Sequence, residues 1–394
     1  MRDPADLRAR VIAILPEIVE LRRALHRIPE VHYEERETAG AVRAALARTG
    51  VTLLPPYLET DTVGLLRGRK PGRNVLLRAD IDALPLEDAS GTPWRSMRPG
   101  RAHACGHDGH MAMLVGVARV LDGLAGDLAG SVRFVFQPAE EEKGGGRKLI
   151  EKGLLDAEPR PDAAFALHGW TGMPAARLSA APGPVMAAAD RFVVRIRGRG
   201  GHAALPHLAV DPLVAASQVV TGLQTIVSRS LDPQEPAVVS VCSIRGGHAS
   251  NVIPGEVVLE GTTRSFDPAG QRLIRTRMEQ IIGGTCAAAG CTFALEYFDN
   301  YTPLVNDARA VALVRSVVTR YLGPGAWDER HPRTMGAEDF CFYLERVPGA
   351  LIRLGLGVEW PSLHSPEFDF NDEALEAGIV ALSAIALEFC AGEG

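Results

Sequence analysis

The 394-residue sequence has no continuous apolar run of the roughly 18 residues that a membrane-spanning helix needs, so no membrane partner is expected. Its six cysteines (Cys105, Cys242, Cys286, Cys291, Cys341 and Cys390) are scattered along a long chain, which excludes a disulfide framework. Five of them read as small buried hydrophobes, and Cys105 stands apart because of its neighbours. Positive charge is not in excess: the formal net charge is −6. A nucleic-acid or anionic-membrane partner is therefore not expected. Residues 1–16 alternate charges with short apolar residues and lack the apolar centre of a signal peptide, so a cytoplasmic location is expected. Internal repeats and low-complexity tracts are missing as well. No Gly-x-Gly-x-x-Gly follows an early strand, which argues against a dinucleotide-dependent oxidoreductase. Gly144-Gly145-Gly146 lacks the Lys-Ser/Thr ending of a phosphate loop.

What is present is an ordinary globular composition, 46% hydrophobic and 23% charged, on a chain long enough for two or three domains. Leu7, Val11, Ile14, Leu15, Ile18, Leu21 and Leu25 recur at helical spacing and predict a helix over most of the first 27 residues. A second helix is expected over 35–48. Strand-like runs follow at 63–67, 74–79 and 132–137, and apolar periodicity over 111–124 predicts a helix between them. Strands that alternate with helices imply an α/β domain with a largely parallel sheet flanked by helices.

The texture changes near Met186. Residues 192–198 alternate like a half-exposed strand. A helix (212–228), two strands (237–244 and 256–263), a helix (268–289) and a strand (292–297) come next. The order β-α-β-β-α-β is that of a ferredoxin-like unit. The expected organisation is a catalytic domain in two parts, 1–186 and 299–394, interrupted by an inserted α+β domain at 187–298.

Chemistry concentrates in four places. The run His103-Ala104-Cys105-Gly106-His107-Asp108-Gly109-His110 gathers soft ligands at the mouth of a helix, where Cys105 and His107 can converge on one point. The alternative is a buried thiol beside a capping histidine. Glu140-Glu141-Glu142 follows the 132–137 strand, at the end of a strand where α/β active sites lie. Adjacent carboxylates there can split into a metal ligand and a base; the alternative is a solvated acidic loop. His168 ends an apolar strand and His364 sits in a loop, and each alone reads better as a structural histidine. Together one thiolate, three imidazoles and the carboxylates can hold two metal ions. Metals about 3.5–4 Å apart suit hydrolysis.

At these residues the chain resembles the N-acyl-amino-acid amidohydrolases of the hippurate hydrolase and auxin-conjugate hydrolase type. These are a branch of the superfamily that includes aminoacylase and glutamate carboxypeptidase. The ordered matches run nearly the whole chain. They include Leu25-His26-Arg27-Ile28-Pro29-Glu30, Arg78-Ala79-Asp80-Ile81-Asp82, the 103–110 run, Gly200-Gly201-His202, Asn251-Val252-Ile253-Pro254, Gly261-Thr262-Thr263-Arg264, Met335-Gly336-Ala337-Glu338-Asp339-Phe340 and Leu363-His364-Ser365-Pro366. The resemblance implies that Cys105, His107, Glu141, His168 and His364 ligate two divalent metals (zinc, manganese, nickel or cobalt), with Cys105 shared. It implies Glu140 as general base. It further implies that the inserted domain mediates homodimerisation and that His202 reaches the partner's active site to stabilise the oxyanion. Asn251 and Arg264 match positions that bind the substrate's carbonyl and carboxylate.

One departure is informative. Many relatives draw a first ligand from His-x-Asp at the end of an early strand, where this chain has Arg78-Ala79-Asp80. Arginine cannot ligate a metal. Asp80, Asp82, His103, His110, His207, His248, Glu338 and Asp339 are then expected in supporting roles. The expected activity is cleavage of an N-acyl-L-amino acid, a small-molecule substrate, to a carboxylic acid and a free amino acid. The rivals are a dipeptidase or other exopeptidase of the same superfamily and a non-catalytic metal- or ligand-binding protein.

Overall fold

The computed structural model describes residues 3–392; Met1, Arg2, Glu393 and Gly394, which fall at the ends of the first and last expected segments, lie outside them. The chain divides into two compact units. The first reaches to Gly183 and takes up Val305–Pro332 and the chain from Asp339 on; the second comprises Pro184–Leu304 and Arg333–Glu338. The Arg333–Glu338 segment joins the second unit through tertiary contact, which no local periodicity encodes.

The first unit is built on a seven-stranded sheet. Its strands lie in the order Thr52–Leu53, Thr62–Arg67, Ala129–Gln137, Lys70–Asp80, Ala163–Thr171, Gly349–Gly357, Leu178–Ser179. The central four are parallel to one another. The flanking strands pair antiparallel. Strands covered on both faces need continuous apolar runs. The Ala129–Gln137 and Ala163–Thr171 strands accordingly bury nearly every residue. The parallel register sets Asp80 opposite Gln137 and Arg353 opposite His168. The carboxyl ends of these strands therefore share one edge of the sheet, where loops carry function in α/β folds.

Helix Pro4–His26 begins where Asp3 accepts the Ala5 amide at 3.0 Å, with Pro4 in the first turn, where its missing N–H costs nothing. Helix His107–Asp122 is buried on almost every side, and so is Leu375–Ala391. Both belong to the single large core of this unit. The segment Asp372–Ala391 is, among the described residues, the one helix long and apolar enough to cross a membrane. It is 83% buried inside the protein, as a core helix is, and Glu376 and Glu388 interrupt its apolar run.

The second unit holds a four-stranded antiparallel sheet in the order Ala237–Arg245, Glu256–Ser265, Ala188–Arg197, Thr292–Tyr301. Helices Pro212–Arg229 and Pro268–Ala289 cover one face. Their apolar stripes (Ala216, Val219, Leu223 and Ile274, Met278, Ile282) bury against Phe192, Val194, Leu259 and Val257. This is the ferredoxin-like order expected from the alternation of elements. The Glu256–Ser265 strand alternates strictly between buried and half-buried, as a sheet with one covered face requires. One expectation is corrected here. Cys242 is exposed on the edge strand Ala237–Arg245, because its side chain points away from the helices; the other cysteines are buried, and all six are free thiols.

Candidate metal centre

Three loops and one helix start meet at the carboxyl edge of the first sheet. Gly106 precedes helix His107–Asp122 with φ +83°, a left-handed conformation that a side chain disfavours, and so turns the chain sharply between Cys105 and His107. The Ala129–Gln137 strand runs out through Pro138 into the acidic turn. There Gly145 passes so close that a Cβ would lie 1.7 Å from the Pro138 carbonyl oxygen; only glycine fits. Ala139, held at φ +58°, donates its amide to Glu35 at 3.0 Å, and Glu141 donates its amide to Asp82 at 3.1 Å. Glu140 and Glu141 are thus held by their backbone on both sides. His364 also has a positive φ, +65°, and its amide donates to the Ala104 carbonyl at 2.8 Å, which ties this distant loop beside Cys105.

The side chains converge in two overlapping groups, Cys105 with His107 and His168, and Cys105 with Glu141 and His364; within each group the ligand atoms lie within 4.8 Å of one another. Cys105 Sγ stands 3.6 Å from His168 Nε2, and His364 Nε2 stands 3.3 Å from Glu141 Oε1. The tautomers follow from the outer bonds. His107 Nδ1 donates to the Asp82 carbonyl at 2.8 Å and His168 Nδ1 to the Gly169 carbonyl at 2.7 Å. Each bond engages Nδ1 on the outer side and leaves Nε2 aimed at the cluster, the usual arrangement behind metal-binding histidines.

The electrostatics call for added positive charge. Burial drives the Cys105 thiol well above its usual value, and Glu141, Glu140 and Asp80 push it further. Burial pulls His107 down, but Asp80, Asp82 and Glu141 outweigh it and hold the imidazole at about 10. His168 is forced well below its usual value by burial and by His110, which keeps it a neutral donor. His364 is raised by its hydrogen bond to Glu141. Buried His107 Nε2 has no hydrogen-bond partner. A thiolate ligand, an orphaned imidazole nitrogen and surplus carboxylates fit divalent cations, which relieve all three at once.

Asp80 is not placed as an open ligand. Its Oδ1 accepts from His110 Nδ1 at 2.6 Å and its Oδ2 from Arg78 at 2.7 Å; burial would raise its carboxyl, but His107, His110 and Arg78 together hold it well below the usual range. His110 Nε2 in turn accepts the Gly169 amide at 2.8 Å. His110 therefore joins the His107 helix to the strand bearing His168. Asp339 supports the site as expected, and sequence reasoning missed two further supports, Arg78 and Glu35. Arg78 also reaches Gln137 at 3.0 Å and Asp339 at 2.8 Å, and Asp339 accepts the Gly146 amide at 2.7 Å. The signal was an arginine inside the apolar run Val75-Leu76-Leu77-Arg78-Ala79, which a buried strand tolerates only when it is paired. Glu35, which holds the Ala139 amide, carried no signal of its own.

The remaining expected residues lie in the second unit. His202 is exposed in the short strand Gly201–His202, which pairs with Val252–Ile253 so that His202 faces Val252. Asn251 is the next residue along, also exposed, and its carbonyl accepts the Ala203 amide at 3.0 Å. These two are brought together. Arg264 sits apart in the four-stranded sheet, where it donates to the Thr263 carbonyl at 2.8 Å. Burial lowers it, and Asp190 works against that.

Residues 76–388 match the model of peptidase family M20/M25/M40. An N-acetylcysteine deacetylase of Bacillus subtilis is 35% identical over 94% of this chain and 97% of its own. An N-acyl-L-amino acid amidohydrolase of Geobacillus stearothermophilus is 39% identical over 76% of this chain and 81% of its own. A crystal structure from Bacillus subtilis, described as a dinuclear metal binding peptidase of the M20 family, superposes with a TM-score of 0.85 at 31% identity, covering 95% of this chain and 98% of that one.

Proposed function

The chain belongs to peptidase family M20/M25/M40, a metal-dependent hydrolase of amide bonds, and from that premise we propose that it cleaves N-acyl-L-amino acids to a carboxylic acid and a free amino acid. One observation carries the reading. Cys105 belongs to two ligand groups at once, and the second of them contains Glu141, whose chain neighbour Glu140 is a further carboxylate, 7% exposed. A binding protein needs no such extra acid; a hydrolase needs a base.

In this proposal Cys105, His107, Glu141, His168 and His364 hold two divalent cations, which when bound polarise the amide carbonyl and acidify water. The thiolate and imidazoles suit zinc, nickel or cobalt, and the carboxylate leaves manganese open. Glu140 takes the proton of the attacking water and returns it to the leaving nitrogen. Glu35 and Asp82 keep the acidic turn from swinging away while the proton moves. His202 donates to the developing oxyanion from the second subunit of a homodimer, where a preorganised donor is worth several kcal/mol. Asn251 orients the carbonyl, and Arg264 meets the substrate carboxylate with its planar fork. Six free thiols support a reducing, cytoplasmic location.

The test is hydrolysis of N-acetyl and N-benzoyl amino acids beside dipeptides, after reconstitution with single metals. Faster turnover of the N-acyl amino acids is expected. Preferential cleavage of dipeptides would replace this reading with the exopeptidase one.

A further inference from the structure

The Gly349–Gly357 strand carries a guanidinium into the interior of the first unit with nothing to neutralise it. Arg353 is 3% exposed. Its Nη1 donates to the Pro332 carbonyl at 2.8 Å, and its Cζ lies 3.9 Å from the centre of the Trp170 ring. Nη2 is buried and has no partner among the described residues. Beside it, His331 Nδ1 meets Ser179 Oγ at 2.7 Å. That hydroxyl donates to the Arg330 carbonyl at 3.1 Å, so it accepts from Nδ1 and leaves His331 Nε2 bare. Nε2 is likewise buried and unpartnered. Two orphaned polar atoms, one on a charged group and both sealed from solvent, mark a place built around an occupant.

We propose that Arg353 and His331 frame a binding site for a small monoanion of the size of chloride or formate. The charge argument comes first. Burial alone acts on Arg353, lowering it to about 10, and no carboxylate among the described residues forms an ion pair with it. An uncompensated buried cation is costly, and an anion accepting from Nη2 removes that cost. The size argument comes second: both orphan atoms are closed off from bulk water, so the occupant is no larger than a few atoms.

Binding also engages His331. Burial and the Arg353 charge hold it near 4, so it is neutral when the site is empty. Arg353 faces it from the Gly349–Gly357 strand and Ser179 from Leu178–Ser179; Arg330, on its own loop, is taken up by Asp328 at 3.2 Å. Burial still opposes the charged form, but an anion beside the ring cancels the Arg353 effect and attracts a proton to Nε2, which then becomes a second donor. The site thus takes up an anion together with a proton. Trp170 reports on it, because one neighbour of its ring is Arg353 and another is His168, at 5.8 Å between ring centres.

The experiment titrates chloride, and separately formate, into the metal-loaded enzyme at constant ionic strength set with gluconate. Melting temperature and tryptophan fluorescence are followed at about pH 8 and about pH 6, on either side of an unperturbed histidine. A saturable rise of about 2–4 °C is expected, with tighter binding at the lower pH. Arg353→Met removes the response, and His331→Gln keeps it but loses its pH dependence. Anions bound at the metal centre survive Arg353→Met, so only the difference between the two proteins counts. If Arg353→Met does not fold, the comparison of the unaltered enzyme with His331→Gln decides: a saturable response to bromide whose pH dependence that substitution removes supports the site, and one that it leaves unchanged overturns it. A response that never saturates, or is the same without Arg353, overturns the proposal and leaves water as the occupant. Because no readout is turnover, failure here leaves the amidohydrolase reading standing.

Discussion

The two units hold their candidate functional residues in opposite ways. In the first, the donors around Cys105 are fixed from behind: His107 by Asp82, His168 by Gly169, Glu141 by Asp82 and the His364 backbone by Ala104. Apart from His364, with 53% of its side chain exposed, they are shielded from solvent. In the second unit His202 and Asn251 stand exposed on a two-residue ribbon. The His202 side chain is engaged by one local contact among the described residues, the Ala204 amide on Nδ1 at 3.1 Å. The difference teaches that metal binding is preorganised within one unit. His202, the proposed oxyanion donor, is orientated only locally.

The comparison is tested most sharply at Glu140. Glu140→Gln preserves shape and backbone bonds but removes the base. Turnover should fall about 10²–10⁴-fold while metal content, measured by mass spectrometry, stays the same. Substantial turnover with both metals bound would end the assignment. His202→Ala should cost about 10²–10³-fold in kcat with metal content and melting temperature unchanged. Mixing the Glu140→Gln and His202→Ala proteins then separates the units cleanly. If His202 serves the partner's site, mixed dimers contain one intact centre and activity returns. A mixture as inactive as its components would place His202 on its own chain's centre or outside the reaction.

A smaller effect is expected behind the ligands. His110 touches neither substrate nor metal in this reading. It joins Asp80 to the Gly169 amide and so fixes the strand end that bears His168. His110→Ala should weaken metal affinity about 10–100-fold in chelator competition. At saturating metal, kcat should recover. Unchanged affinity would show that the histidine pair is held by packing alone.

How much of this was legible beforehand follows the range of the interactions. The β-α-β-β-α-β order of the second unit lies in local periodicity, and the strand from Glu256 to Ser265 shows why: one covered face imposes period two. Cys105 and His107 are neighbours in the chain, so their convergence could be argued from two residues. His364 meets Glu141 across more than two hundred residues. Nothing in the spacing of either predicts that, and only the family resemblance brought them together. Cys242 was misjudged because composition cannot tell which face of an edge strand looks outward. Arg353 carries the same signal as Arg78, an arginine inside an apolar run, but Leu351-Ile352-Arg353-Leu354 does not show that its partner is missing, and His331 left no trace.

The last way to sharpen the comparison is pH, through a buried network of the first unit centred on His26. His26 Nδ1 donates to Asp108 at 2.7 Å and Nε2 to Asp88 at 3.2 Å, so both ring nitrogens carry protons and the imidazole is cationic. Arg22 pairs with the same Asp108 at 2.9 Å. Burial opposes the charge, but Asp108 and Asp88 prevail over it and over the repulsion from Arg22, and they raise His26 to about 9. The folded state therefore binds its proton more tightly than the unfolded chain, whose histidine titrates near 6.5. Stability from this group is fully present below about pH 6.5 and is lost as the pH rises through 9. The loss is on the order of 3 kcal/mol, because the folded and unfolded proton affinities differ by that much. Denaturant midpoints of the metal-loaded protein should accordingly drop between about pH 7 and pH 10. His26→Gln should be less stable at the lower pH and show a flatter profile, with turnover per folded molecule unchanged. An equal drop in both proteins would place the alkaline loss elsewhere, and the exposed ion pairs of the second unit, such as Arg197 with Glu256, are too weakly held to supply it.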